Sequence, residues 1–128
     1  MDSQCYAAVF VVQRLENINL RYGYAVGDQL LEAVGRYLMS KLAPSDRIFR
    51  WRGPTFMVLL DRQHPADTVR AEVGRFASGR QEHTLEVEGR PQKLAVSCAS
   101  SVIRLADCQL AAQACQQIDR FVAEHSEK

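Results

Sequence analysis

Neither sign of charge is in excess in this 128-residue sequence: 16 Lys and Arg face 15 Asp and Glu, a formal net charge of +1. A nucleic-acid interface needs a basic stripe and a peripheral membrane anchor needs a polybasic run, so neither partner is expected. Long apolar runs are missing too. None approaches the ~18 residues of a membrane span, and the opening MDSQCYAAV lacks the charged n-region and cleavage site of a secretion signal. A soluble, cytoplasmic domain is expected, whether or not a larger parent protein is membrane-anchored. No two of the cysteines, Cys5, Cys98, Cys108 and Cys115, form a CxxC pair. Each lies among Ala, Val or Leu, which predicts small core residues in a reducing compartment rather than a disulfide framework. His64, His83 and His125 stand in polar segments without a second ligand at metal-site spacing, so no zinc site is expected. Repeats, low-complexity tracts and internal linkers are also absent, and residues 1–128 read as one domain.

What is present is the balance of a globular core: 47% hydrophobic and 24% charged residues, with enough length to bury a sizeable interior. CYAAVFVV, residues 5–12, is an unbroken apolar run with β-branched members and predicts a central strand covered on both faces. QRLENINLRYG then predicts a short helix ending near Gly23, with Tyr24 read as a turn aromatic. From Val26, apolar positions Leu30, Leu31, Val34, Tyr37, Leu38 and Leu42 step by three, four and one, the pattern of a long amphipathic helix closed by APSD. RIFRW and TFMVLL predict two strands joined by a hairpin turn, with Arg50 and Arg52 on one face and Trp51 on the other. Pro65 opens a helix with Val69, Val73 and Phe76 on one side. HTLEVEGRPQKLAVSCASSVIRL predicts a second hairpin, turning at Glu88-Gly89-Arg90-Pro91, with a long return strand. A last helix carries Leu110, Ala114, Ile118 and Phe121. The order predicts an α+β sandwich, a mainly antiparallel sheet with helices packed on it.

The stretch NINLRYGYAVGDQLLEAVGRYL sets Asn19, Gly23, Gly27 and Asp28 ahead of the long helix. With the hairpin RGPTF at residues 52–56, it resembles the GGDEF domain of diguanylate cyclases. That family reads in outline as strand, DxDxFKxINDxxGHxxGDxxL, helix, RxxD, strand, GGDEF, strand. The matching segments here are VVQRLENINLRYGYAVGDQLL, APSD and RGPTF, in register without a gap from Val11 to Phe56. The resemblance spans about residues 5–122 and implies a palm-like sandwich of the nucleotidyl-cyclase type. The family's entry helix is not seen before the first strand, so the chain is expected to be a piece of a larger multidomain signalling protein.

Members with activity join two GTP molecules into cyclic di-GMP, a phosphoryl transfer carried by positioning and by Mg²⁺. Mg²⁺ requires hard oxygen ligands, commonly carboxylates. The resemblance places the family's acids at Val11 and Pro54, with Thr55 for the following glutamate and Gln13 for the second acid of the strand. None of these is a carboxylate. Glu16 stands where a phosphate-reaching lysine is expected, and Arg52 fills the first glycine position; Gly53 and Phe56 are retained. The expectation is a catalytically inactive domain, without catalytic residues and without bound Mg²⁺ or another cofactor.

At the guanine end the resemblance retains Asn19 and Asp28, whose groups suit the guanine edge. The residues themselves leave a second reading open: Asn19 closing the short helix, and Asp28 favoured by the dipole of the long one. In the family's RxxD product-inhibition site, Ala43 replaces the arginine and Asp46 persists, a turn residue by its local chemistry. The expected role is a non-enzymatic relay in cyclic di-GMP signalling. Its expected partners are neighbouring sensor or output domains, or another such domain, with weak or no binding of GTP. A nucleotide receptor without turnover is the alternative, and an active cyclase the remotest.

Overall fold

The computed structural model describes residues 4–51, 53–77, 79–108 and 111–125. Strand β1, Gln4–Val12, runs with seven successive buried residues, Tyr6 to Val12, as its unbroken apolar sequence predicts. It lies between β3, Thr55–Arg62, and β6, Cys98–Arg104, and β2, Arg47–Arg50, closes the far edge of β3. Every pairing in this sheet is antiparallel. Because side chains alternate across a strand, β1 serves two cores at once. Tyr6, Ala8, Phe10 and Val12 meet the larger one, with Leu30, Val34 and Leu38 of α2 (Tyr24–Ser40) and Val69 and Val73 of α3 (Ala66–Ala77). Ala7, Val9 and Val11 face the smaller one, with Ile103 and with Ile118 of α4 (Ala111–His125). Helices therefore cover both faces of the sheet, and the α+β sandwich is the fold. Among the described residues no helix is long and apolar enough to cross a membrane.

Helix α1, Leu15–Tyr22, stops at Gly23, whose φ of 95° and ψ of 160° suit glycine alone. That one residue ends α1 and starts α2, so Tyr24 is the first residue of a helix rather than part of a turn, and it is 76% exposed. The return strand of the second hairpin is shorter than predicted. Strands β4, Gln81–Val87, and β5, Arg90–Val96, form a separate two-stranded sheet, and the chain breaks at Ser97 before entering the central sheet as β6. One apolar run thus serves two sheets. The hairpin turn is Glu88-Gly89, both with positive φ (52° and 77°), so Arg90 and Pro91 already belong to β5. The left-handed pair matches the twist of the flanking strands.

Two further expectations are corrected. None of the four cysteines is buried: Cys5 and Cys115 are exposed, and Cys98 and Cys108 are half-buried at the core margins. Apolar neighbours in sequence did not translate into burial because alternation and the helix surface turned these positions outward. Phe76 packs only at the edge of its core, with Ala77 buried in its place. Leu110, expected to begin the last helix's apolar face, lies outside the described residues.

Candidate functional site

The end of β1, the start of α1 and the β2–β3 turn enclose a pocket of about 300 Å³. The register explains the meeting: Val11 pairs with Thr55 across the sheet, and the Val12 N–H donates to the Pro54 carbonyl at 2.8 Å. The turn is thereby folded over the carboxyl end of the central strand. Val12, Leu15 and Leu31 supply an apolar floor, Glu16 and Asn19 come from α1, and Gly53, Pro54 and Arg50 come from the hairpin.

Arg50 lines this pocket, a position that alternation alone did not reveal. Its Nη2 donates to the Gly53 carbonyl at 2.8 Å, and its guanidinium lies over the Phe56 ring, 5.2 Å from the centroid. The side chain is folded onto the turn rather than into a solvated arginine pair. Arg52 lies outside the described residues. Trp51 takes the opposite face as predicted, where its Nε1–H donates to Asp119 Oδ1 on α4 at 3.1 Å.

The positions expected to carry acids are brought together, without an acid among them. Val11 is fully buried on the α4 side of the sheet. Thr55, its partner, is also fully buried, and its hydroxyl has no hydrogen-bond partner among the described residues. Pro54 lies in the pocket but offers only a carbonyl, already used by Val12. Gln13 turns to α4, donating from Nε2 to the His125 carbonyl at 3.1 Å. Glu16 is the single carboxylate lining the pocket. Among the described residues, no group of three His, Cys, Asp or Glu is placed to hold a metal.

Asn19 and Asp28 part company. Asn19 lines the pocket, and its side chain lies so close over Gly27 that a Cβ there would fall 1.8 Å from Asn19 Oδ1. The close approach at Gly27 thus comes from the Asn19 side chain of the neighbouring helix, not from its own φ. The helix-closing role read for Asn19 is not performed by its side chain; its backbone carbonyl accepts the Gly23 N–H at 2.9 Å. Asp28 is exposed, does not line the pocket and stands beyond the first turn of α2, where a helix dipole acts weakly.

Asp46 does more than turn the chain. Its Oδ2 accepts the Ala43 N–H at 2.9 Å, which is the turn expected. Its carboxylate also receives a bidentate fork from Arg62, Nη1 to Oδ1 at 2.6 Å and Nη2 to Oδ2 at 2.8 Å. Glu72 of α3 accepts the same guanidinium through Nε and Nη2, at 3.0 and 2.9 Å. Burial works against ionising Asp46, but the hydrogen bonds from Arg62 and Ala43 outweigh it and hold its carboxyl below the usual range. An acid committed in this way is withdrawn from any ligand. Arg62 lies 16 residues away in sequence, and only the sheet brings it to Asp46.

An antiparallel sheet between helical layers, with a hairpin set over the end of its central strand, makes this an α+β sandwich. The chain belongs to the GGDEF family: the family profile described as "Diguanylate cyclase, GGDEF domain" matches residues 2–128. Over 93 residues it is 32% identical to diguanylate cyclase DgcM of Escherichia coli K12, a match covering 66% of this chain and 23% of that protein. The chain thus spans about a quarter of its curated relative. Among solved structures, a sensory box/GGDEF family protein of Caulobacter crescentus superposes with a TM-score of 0.76 at 20% identity, over 96% of this chain and 78% of that one. The coiled coil and GGDEF domain of Caulobacter crescentus DgcB, solved with c-di-GMP, gives 0.75 at 16% identity, over 95% and 65% of the two chains. Likeness at these identities establishes the fold.

Proposed function

We propose that this GGDEF domain makes no cyclic di-GMP and serves cyclic di-GMP signalling as a non-enzymatic relay or interaction module. One observation carries the reading: the places that must bring acids to a metal hold Val11, Pro54 and Thr55, with Val11 and Thr55 sealed in the protein interior. This donor set does not fit Mg²⁺, which takes oxygen ligands and several waters. A valine side chain has no lone pair, and a proline supplies neither an N–H nor a side-chain oxygen. Glu16 adds a negative charge to the wall of the pocket, where a triphosphate would be repelled. An intact fold around positions without metal-binding acids suits a domain that passes on position and contact. Neighbouring sensor or output domains, or a second GGDEF-like domain, are its proposed partners.

Turnover is the test. Protein incubated with GTP and Mg²⁺ or Mn²⁺ is expected to give no cyclic di-GMP above a heat-killed control, by mass spectrometry. Product that scales with protein concentration overturns the reading. Restoring Val11→Asp, Pro54→Asp and Thr55→Glu together is expected to yield little activity, because Glu16 remains and two of the acids enter fully buried positions.

The presence of Asn19 in the pocket favours one second reading, a receptor that binds a guanine nucleotide without turnover. Two or three hydrogen bonds at about 0.5–1.5 kcal/mol each leave affinity near millimolar. Guanosine should then bind at least as well as GTP, and Mg²⁺ should not help. Calorimetry tests this reading: weak, Mg²⁺-independent binding of guanosine that is lost in Asn19→Ala supports the receptor, and no heat from guanosine or GTP at millimolar concentration sinks it.

A further inference from the structure

A second concavity opens at the β1–α1 junction and shares no residue with the pocket above. It encloses about 220 Å³ and is lined by Gln13, Arg14, Arg80, Ala95, Val96 and Ser97. Two guanidinium-bearing residues from separate loops converge there, together with a serine and an amide residue, and no carboxylate lines it. Among the described residues neither Arg14 nor Arg80 takes part in an ion pair. Arg62, Arg70 and Arg36 by contrast are committed, to Asp46 and Glu72, to Asp67 and to Glu32.

The backbone adds an independent peculiarity. Arg14 is the N-cap of α1, with φ 65° and ψ 18°, and its side chain makes no cap hydrogen bond. Gly, Asn or Asp would suit both duties, since they tolerate the left-handed region and the last two cap helices. An arginine there carries a conformational cost of about 1–2 kcal/mol without a structural return. A guanidinium presents a planar fork of donors matched to tetrahedral and planar oxyanions, and two such forks around one polar hollow make a strong anion trap.

We propose that this hollow is an oxyanion site that binds a phosphate group through Arg14 and Arg80, with Ser97 as a further donor. The volume accommodates a phosphate but not a whole nucleotide. The ligand is therefore free phosphate or the phosphate end of a phosphorylated molecule whose remainder lies outside the hollow. The site stands on its own residues and does not depend on whether the first pocket turns over or binds GTP.

The experiment is an amide NMR titration of the ¹⁵N-labelled domain with inorganic phosphate, against chloride at matched ionic strength. Saturable shifts are expected at Arg14 and Ser97 with phosphate and not with chloride. Arg14→Gly accepts the positive φ without strain and Arg80→Gln alters an exposed position, so both variants should fold, as thermal melts by circular dichroism will check. Each should weaken phosphate at least about tenfold, and Arg80→Lys should weaken it less. Equal affinity for phosphate and guanosine monophosphate identifies the phosphate group alone as the ligand. Tighter binding of GTP with added shifts at Asn19 identifies a nucleotide that reaches both hollows. Shifts that rise linearly and match those of chloride, or phosphate affinity unchanged in both variants, overturn the proposal.

Discussion

Removal of Asp46 tests whether the buried charge network supports the fold. The Asp46 side chain is fully buried and Arg62 is 11% exposed, so Asp46→Ala strands a guanidinium with only the partly exposed Glu72 to answer it. Breaking a buried pair by deleting one partner costs about 3–5 kcal/mol. The residual contact with Glu72 sets the expectation at the lower end, about 3 kcal/mol. Against a stability of about 5–15 kcal/mol for a domain, that is a large fraction, and it should lower Tm by roughly 10 °C. Urea unfolding of wild type, Asp46→Ala, Arg62→Ala and the double variant gives the pair's coupling, expected at about 2 kcal/mol. The pH dependence carries a definite sign. The folded carboxyl titrates below the unfolded one, so its contribution is complete above the ordinary Asp value of about 3.9 and is lost as pH falls through the lower folded value. Wild type should therefore lose stability below about pH 4 more steeply than Asp46→Asn, which has no proton to gain. A loss under 0.5 kcal/mol in Asp46→Ala, or a wild-type acid profile no steeper than that of Asp46→Asn, would refute the network's role.

Gly27→Ala places a methyl group on Asn19 Oδ1; the helix gains up to about 1 kcal/mol of propensity, while the Asn19 side-chain amide should shift markedly in NMR spectra as it is pushed aside. Thr55→Val removes a buried hydroxyl that has no partner among the described residues and should raise stability by about 1 kcal/mol in urea unfolding; a decrease would mean that a water or main-chain acceptor serves that hydroxyl. Thiol reactivity toward a disulfide reagent at pH 8 should rank exposed Cys115 fastest and Cys98 slowest, since burial pushes the Cys98 thiol up to about 11. Cys5 should lag Cys115, because burial and then the neighbouring charge of Asp61 raise its pKa; single-cysteine variants resolve the order.

Local pattern was sufficient for most of the architecture. The unbroken run to Val12, the three-four spacing of α2 and the alternating hairpin strands each follow from where one chain segment must hide apolar surface, and that is written in the segment itself. The residue types at 11, 54 and 55, none of them a carboxylate, are likewise plain from the sequence alone. Tertiary structure decided what depends on two segments at once. The break at Ser97 that sends one apolar run into two sheets, the clamp of Arg62 on Asp46, and the folding of Arg50 onto Gly53 all join residues whose own neighbours give no hint of the partner. The same holds for Cys5, Cys98, Cys108 and Cys115, for Arg14 and Arg80, and for Asn19 against Gly27. A side chain's composition is local, but its exposure and its partner are properties of the surface that the rest of the fold lays against it.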